Sequence, residues 1–231
     1  EVERQPLSQV RKITADAMAY AWATAPRVTQ DDKADITALE AFRQEYNQKA
    51  KPEDKLTTTA ILVRVVAEAL RRFPQLNSSL DLAADELVIK TYVHIGVAVD
   101  TPGGLLVPVI RDCDRKGIES LATELNETAE KTRERRISPA DMEGGTFTIS
   151  NLGMFGITEF TAIINPGEAG ILAVSSVTPE VRPYADGMGI RQMMRITLTA
   201  DHRIVDGAMA AAFVNSLKSK LEDVELWKLL T

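Results

Sequence analysis

Apolar side chains recur every three or four positions in five segments of the chain, which is the spacing of an amphipathic helix. In the first segment the apolar stripe consists of Val10, Ile13, Ala17 and Ala21, and Ser8 stands where a helix N-cap is expected. A proline follows the first segment, and another closes the third. The pattern predicts helices over 8–23, 36–50, 56–74, 117–134 and 207–224, with an extended segment over 24–37.

Elsewhere the period shortens to two, as in strands. Val93, Ile95, Val97 and Val99 alternate within 86–101, and the turn sequence "PGG" leads into a second apolar run over 105–111. These two runs predict a hairpin. Further strands are predicted over 144–153, 159–166, 169–177 and 193–202. Helices and strands do not alternate strictly and no linker divides the chain, so we expect one α+β domain over 1–231, a mixed β-sheet flanked by helices.

Composition narrows the function. The chain has 231 residues, 45% of them hydrophobic, and a formal net charge of −6. This charge argues against nucleic acid as a partner, and no apolar run approaches the roughly 18 residues of a membrane span. Cys113 is the only cysteine, so no disulfide can form within the chain, and a reducing compartment fits. Its acidic neighbours disfavour a thiolate, which indicates a structural role.

Of the two histidines, His202 stands in the more informative place, between a predicted strand and a predicted helix in "TADHRIVDGA" (199–208). Such ends concentrate catalytic residues, and a histidine can accept a proton near neutral pH. A polar residue at a turn is the alternative that the segment alone leaves open. A metal pair of His202 and Asp206 lacks a third ligand, since His94 lies mid-strand, so no metal is expected.

A resemblance favours catalysis. "DHRIVDGA" resembles the H-x-x-x-D-G signature of the 2-oxo acid dehydrogenase acyltransferases, the E2 components that move acyl groups from lipoyl to coenzyme A. "LSQVRKITADAM", "PRVTQDDKADITALEAFR", "HIGVAVDTPGGLLVPVIRD" and "GGTFTISNLGMFG" are similar to family segments in the same order, so the similarity extends over essentially the whole chain. It is greatest for the pyruvate dehydrogenase branch. Chloramphenicol acetyltransferase shares the fold and the histidine motif, but its flanking segments are less similar.

The resemblance assigns roles to three residues. His202 matches the family's general base, and Ser150 matches the hydroxyl that donates to the oxyanion. Asp206 matches a carboxylate that is mainly structural and pairs with an arginine, for which Arg11 and Arg203 are the candidates. Coenzyme A and a lipoyl group carried on another domain are the implied substrates. Gly207 is expected to allow an unusual conformation or a close approach.

The same resemblance implies an assembly. Homotrimers would place His202 of one subunit beside Ser150 of its neighbour and build a larger core that works with lipoyl domains and the E1 and E3 components. The chain would be the catalytic domain alone, without lipoyl and peripheral-subunit-binding domains, in the bacterial cytoplasm or the mitochondrial matrix. The alternatives are a non-catalytic structural core, an acyltransferase of a succinyl or branched-chain complex, and an acetyltransferase acting on a free small molecule. The apolar C-terminal residues fit core packing and oligomer contacts equally well: Leu226, Trp227, Leu229 and Leu230.

Overall fold

A computed structural model describes residues 2–184, 187–223, 225 and 227. In these ranges all five predicted helices are confirmed to within two residues at either end. They are α1 (Gln9–Thr24), α2 (Thr37–Lys49), α3 (Thr58–Arg72), α4 (Ile118–Arg133) and α5 (Gly207–Glu222). Side chains cap three of the N-termini: Ser8 accepts the Arg11 N–H, Thr57 that of Ala60, and Asp206 that of Met209.

The described residues also form ten strands. They are β1 (Arg27–Asp35), β2 (Ser78–Asp81), β3 (Glu86–Ile89), β4 (Ile95–Val97), β5 (Val99–Thr101), β6 (Gly104–Leu106), β7 (Val109–Ile110), β8 (Phe147–Asn151), β9 (Gly170–Tyr184) and β10 (Gly187–Asp201). Six of them form one sheet in the order β1-β10-β9-β8-β4-β7. Strands β4, β8 and β9 are parallel neighbours and the other pairs are antiparallel, so the predicted mixed sheet is confirmed.

The two faces of this sheet differ in chemistry. Along β10, Ile196, Leu198 and Ala200 belong to one core cluster with buried residues of α2, α3, α4 and α5. Because side chains alternate between the faces of a strand, Thr197 and Thr199 lie on the opposite face. The polar face carries the chemistry described below.

Helix α1 stands apart from the core. Its predicted apolar stripe buries only Ala21, whereas Val10 and Ile13 are 41% and 60% exposed. The apolar pattern therefore predicts the helix correctly, but most of the apolar stripe is not buried in the same subunit.

The prediction of one continuous strand over 86–101 is wrong. The segment divides into β3, β4 and β5, and β3 pairs with β2, a strand that the pattern did not predict. The break lies at residues 90–92, where the side-chain amide of Asn77 donates to the carbonyls of Lys90 and Tyr92 at 2.9 and 2.8 Å and holds a bend. The predicted hairpin is present as two short ladders, β4–β7 and β5–β6.

The predicted strand over 159–166 is also wrong. Its composition suits a strand, but β8 and β9 already pair with neighbours on both sides. The segment is held instead by side chains: Asn165 Nδ2 donates to Thr148 Oγ1 at 2.8 Å, and Ile164 is 2% exposed. By contrast, β9 and β10 extend beyond the predicted limits, because their outer halves pair with each other as a long hairpin.

Of the apolar C-terminal residues, for which core packing and oligomer contacts were both open, Trp227 packs in the core. It is 1% exposed and donates its Nε1–H to the Lys220 carbonyl at 2.9 Å. Leu226, Leu229 and Leu230 lie outside the described residues. Across the described part of the chain, no helix has the length and hydropathy needed to cross a membrane.

Candidate active site

His202 lies in a tight turn between β10 and α5. Its backbone N–H donates to the carbonyl of Pro26 at 2.8 Å, just before β1. The next two N–H groups, of Ile204 and Val205, both donate to the carbonyl of Asp201, and Val205 is fully buried. The turn is thus fixed by backbone bonds, while the residue His202 itself is exposed.

Asp201, which the sequence analysis did not single out, binds Arg203. The side chain of Asp201 is 3% exposed, and Arg203 donates to it from Nε at 3.0 and 3.1 Å and from Nη2 at 2.5 Å. The hydrogen bond to Asp201 raises the pKa of Arg203. The expectation that Arg203 could pair with Asp206 is therefore wrong, because the Arg203 guanidinium binds the buried carboxylate of Asp201 instead.

Asp206 caps helix α5. Its carboxylate accepts the Met209 N–H at 2.8 Å, and in the described ranges no arginine forms an ion pair with it. This contact holds the turn against the helix. The expected close approach at Gly207 is not found in the described part of the subunit: a Cβ there would meet only Gln30 Nε2, at an ordinary 3.6 Å.

Ser150 lies near the C-terminal end of β8, where it lines a cavity of about 390 Å³. The predicted hairpin segment over 105–111 contributes Leu105, Pro108 and Ile110 to this cavity. The following residue, Asn151, fixes the strand end by accepting the Gly153 N–H at 2.8 Å. Gly153 has no room for a side chain, because a Cβ would come within 2.9 Å of the Ser175 carbonyl oxygen.

The sheet register places Ser150 and His202 far apart. Ser150 pairs with Ala173 of β9, and Ala173 pairs with Thr197 of β10. His202 lies five residues beyond Thr197, about 16 Å along the strand, and two strand widths, about 10 Å, to the side. The two Cα atoms are therefore roughly 19 Å apart, a gap that no side-chain rotamer closes to the hydrogen-bond distance of about 3 Å that a shared reaction needs.

Glu168 is a second residue that the sequence analysis missed. Its carboxylate accepts from Thr148 Oγ1 at 2.8 Å, and Asn165 Nδ2 donates to the same hydroxyl at 2.8 Å. Burial raises the pKa of Glu168 to about 7. Asn165 and Glu168 line part of a separate cavity of about 490 Å³ beneath α1. The only sign of this residue in the sequence was a charged position just before the apolar start of β9.

The lone cysteine has the environment of a structural residue. Cys113 is fully buried, and its Sγ–H donates to the Ile110 carbonyl at 3.0 Å. Burial raises the pKa of Cys113 to about 12, which leaves almost no thiolate at neutral pH. Among the described residues, no cluster of three or more histidine, cysteine or carboxylate side chains could hold a metal ion.

Comparison with known proteins assigns the chain to a family. Residues 1–229 match the family described as 2-oxoacid dehydrogenases acyltransferase (catalytic domain). The chain belongs to this family. It is 43% identical over 227 residues, 97% of its length, to the dihydrolipoyllysine-residue acetyltransferase component of the pyruvate dehydrogenase complex of Haemophilus influenzae. It spans 40% of that relative.

Solved structures of acyltransferases from this family superpose closely. The dihydrolipoamide acetyltransferase of Azotobacter vinelandii matches with a TM-score of 0.94 and 42% identity, covering 98% of this chain and 93% of that one. In that enzyme the catalytic roles of a serine, a histidine fifty-two positions later and an asparagine four positions after that have been investigated. The cubic core of a pyruvate dehydrogenase multienzyme complex matches with a TM-score of 0.92 and 41% identity, covering 98% and 93%.

Chloramphenicol acetyltransferase shares the fold only, with a TM-score of 0.61 at 12% identity over 95% of this chain and all of that one. The fold expected for this acyltransferase domain is therefore confirmed, including its likeness to chloramphenicol acetyltransferase.

Proposed function

We propose that this domain transfers an acetyl group between the dihydrolipoyl group of a lipoyl domain and coenzyme A, as the E2 core of a pyruvate dehydrogenase complex. Ser150, His202 and Asp206 have the same spacings as the serine, histidine and asparagine studied in the Azotobacter vinelandii enzyme. The relatives with the highest similarity are acetyltransferases of this complex. Asp206 stands in place of the asparagine, and as a helix cap it supports the turn without entering the reaction.

The reaction needs a base and an oxyanion donor. A thiol with a pKa near 8.5 is mostly protonated at pH 7, so His202 removes the proton as the sulfur attacks the thioester carbonyl. The carbonyl oxygen gains negative charge, and the Ser150 hydroxyl donates to it. When the tetrahedral intermediate collapses, the carbon–sulfur bond of the departing thiol breaks, and the imidazolium returns the proton to that sulfur. The acyl group therefore moves from one sulfur to the other, and the proton moves from the attacking thiol to the departing one.

The separation of Ser150 and His202 is the observation that carries the proposal. A subunit has a cavity that is lined by the donor and, roughly 19 Å from that donor, an exposed base. Each half completes the other only across a contact between subunits, and repetition of such a head-to-tail contact closes a ring. We therefore propose a homotrimer with its sites between subunits.

The trimers build a larger core that receives lipoyl domains and works with the E1 and E3 components. The similarity to the cubic core structure supports this larger assembly. Coenzyme A is a substrate in this scheme, and the lipoyl group arrives on another domain. The buried, reduced Cys113 fits the bacterial cytoplasm or the mitochondrial matrix as the compartment.

Acyl transfer to free dihydrolipoamide tests the proposal. Acetyl-CoA, succinyl-CoA and isobutyryl-CoA are compared as donors, with the His202→Ala protein as the control. We expect acetyl to be preferred, and activity to fall at least about 10²-fold in the variant. Preference for another donor would place the domain in a sister complex. No transfer by a folded oligomer would support a structural core instead, and transfer only to another small acceptor would support an unrelated acetyltransferase.

A further inference from the structure

The turn that carries His202 is organised around a single side chain, that of Asp201. The residue ends β10, where its N–H donates to the Ala169 carbonyl at 2.9 Å. Its carbonyl accepts two N–H groups of the turn, and its carboxylate accepts a third, from Arg203 at 3.0 Å. Every backbone N–H from residue 201 to residue 205 is thus bonded, and four of the five bonds involve Asp201.

The Arg203 side chain completes this arrangement from outside. Its guanidinium takes both oxygens of the Asp201 carboxylate, a two-point contact that fixes orientation as well as distance. The carboxylate is almost fully buried, and the guanidinium is 30% exposed. His202 lies between these two residues in the chain, so the ion pair bridges over the backbone of the catalytic residue.

We propose that the Asp201–Arg203 ion pair positions His202, so that its imidazole points out of the subunit toward a partner's Ser150. The inference rests on the acyl transfer proposed above and adds two positioning residues to it. A base must meet the thiol within about 3 Å, and a displacement of about 1 Å can cost on the order of 10²-fold in rate. The Asp201 carboxylate accepts one of the N–H bonds that fix the turn, so a carboxylate that is free to rotate would loosen the backbone on the C-terminal side of His202.

Replacement of Arg203 tests the inference. Arg203→Met should lower kcat about 10- to 100-fold while the KM values for acetyl-CoA and dihydrolipoamide stay within about 3-fold, because binding is intact and orientation is lost. Arg203→Lys restores a charge but not the two-point contact, so its kcat should lie between those of the Met variant and the wild type. It also keeps a cation beside the buried carboxylate if the Met variant fails to fold.

Arg191→Met is the matched control. Arg191 lies on β10, the strand that ends at Asp201, and it donates from Nε to Asp35 at 2.6 Å, far from the turn. This variant also loses an arginine–aspartate ion pair, and its kcat should be unchanged. A kcat for Arg203→Met or Arg203→Lys equal to that of the wild type would overturn the inference. So would a change in KM alone, since that would mean that Arg203 binds a substrate.

The histidine signals separate orientation from stability. The chain has only two histidines, and the His94 ring is fixed because its Nδ1 accepts the Asp112 N–H at 3.0 Å. In protein carrying ¹³Cε1-labelled histidine, the His202 signal should broaden or split in Arg203→Met, while the His94 signal stays as in the wild type. An unchanged His202 signal would contradict the positioning role. The wild type and His202→Ala are assayed alongside: an inactive wild type refutes the acyl transfer itself, whereas an active wild type with a fully active Arg203 variant refutes only this inference.

Discussion

Two inactive variants should restore activity when they share one assembly. His202→Ala removes the base and Ser150→Ala removes the oxyanion donor, so each homo-oligomer should be nearly inactive. The sheet register sets the two residues roughly 19 Å apart in one subunit, and in the proposed homotrimer they meet at a contact between subunits. A mixed oligomer then contains junctions where an intact His202 faces an intact Ser150.

The expected yield follows from the ring geometry. If the two variants are co-expressed in equal amounts and mix at random, about one quarter of the directed junctions in a cyclic trimer join the intact halves. Acetyl transfer from acetyl-CoA to dihydrolipoamide should therefore recover to about one quarter of the wild-type rate, from about 1% or less for either variant alone. The variants carry different affinity tags, so that mixed assemblies can be verified.

A double variant provides the control. When wild type is mixed equally with protein carrying both His202→Ala and Ser150→Ala, sites shared between subunits keep about one quarter of full activity, and sites within single subunits keep about one half. Recovery of no activity in the first mixture, with one half in the second, would refute the reasoning from the sheet register. It would mean that His202 and Ser150 of the same subunit form the site.

The other expectations concern single positions. Ser150→Ala should lower kcat on the order of 10²–10³-fold with KM nearly unchanged, and a change in KM alone would argue against the oxyanion role. Phe213→Ala should lower the free energy of unfolding in urea by about 3–5 kcal/mol, because the ring is fully buried against Phe73 and Phe147; a loss below about 1 kcal/mol would mean that the core closes over the gap. Glu168 keeps its proton up to about pH 7 when folded but only to about pH 4.5 when unfolded, so its contribution to stability is present at low pH and is lost as the pH rises to 7. Glu168→Gln should therefore stabilise the protein more at pH 8 than at pH 5, by on the order of 2–3 kcal/mol in urea unfolding, and equal effects at both pH values would contradict the burial of this carboxyl.

The helices could be predicted because each carries its own information. Period, cap and terminating residue all lie within one segment, and Ser8, Thr57 and Asp206 cap where the sequence places a capping residue before an apolar run. Strand existence depends on partners elsewhere. The apolar segment over 159–166 has the composition of a strand but no free strand beside it, and the run over 86–101 is broken by Asn77, more than ten residues away.

The same distinction applies to the candidate site. The turn at His202 and the cap at Asp206 follow from one short segment, and the family resemblance adds Ser150. The choice between Arg11 and Arg203 as a partner for Asp206 could not be made from the sequence. The choice depends on Asp201, whose carboxylate is buried at the strand end and binds Arg203. Spacing along the chain shows neither which carboxylate is buried nor which guanidinium reaches it.

Strand direction supports the proposal that Ser150 and His202 form a site between subunits. Strands β8 and β9 are parallel and β10 is antiparallel to β9, so β8 and β10 run in opposite directions along the sheet. A residue near the end of β8 and a residue just after β10 must therefore face opposite ways along the sheet, whatever their rotamers. The fold of one subunit can be complete while its chemistry is not. In the proposed homotrimer, the exposed His202 faces a neighbouring subunit, and the exposed Val10 and Ile13 of α1 are available for the same contact.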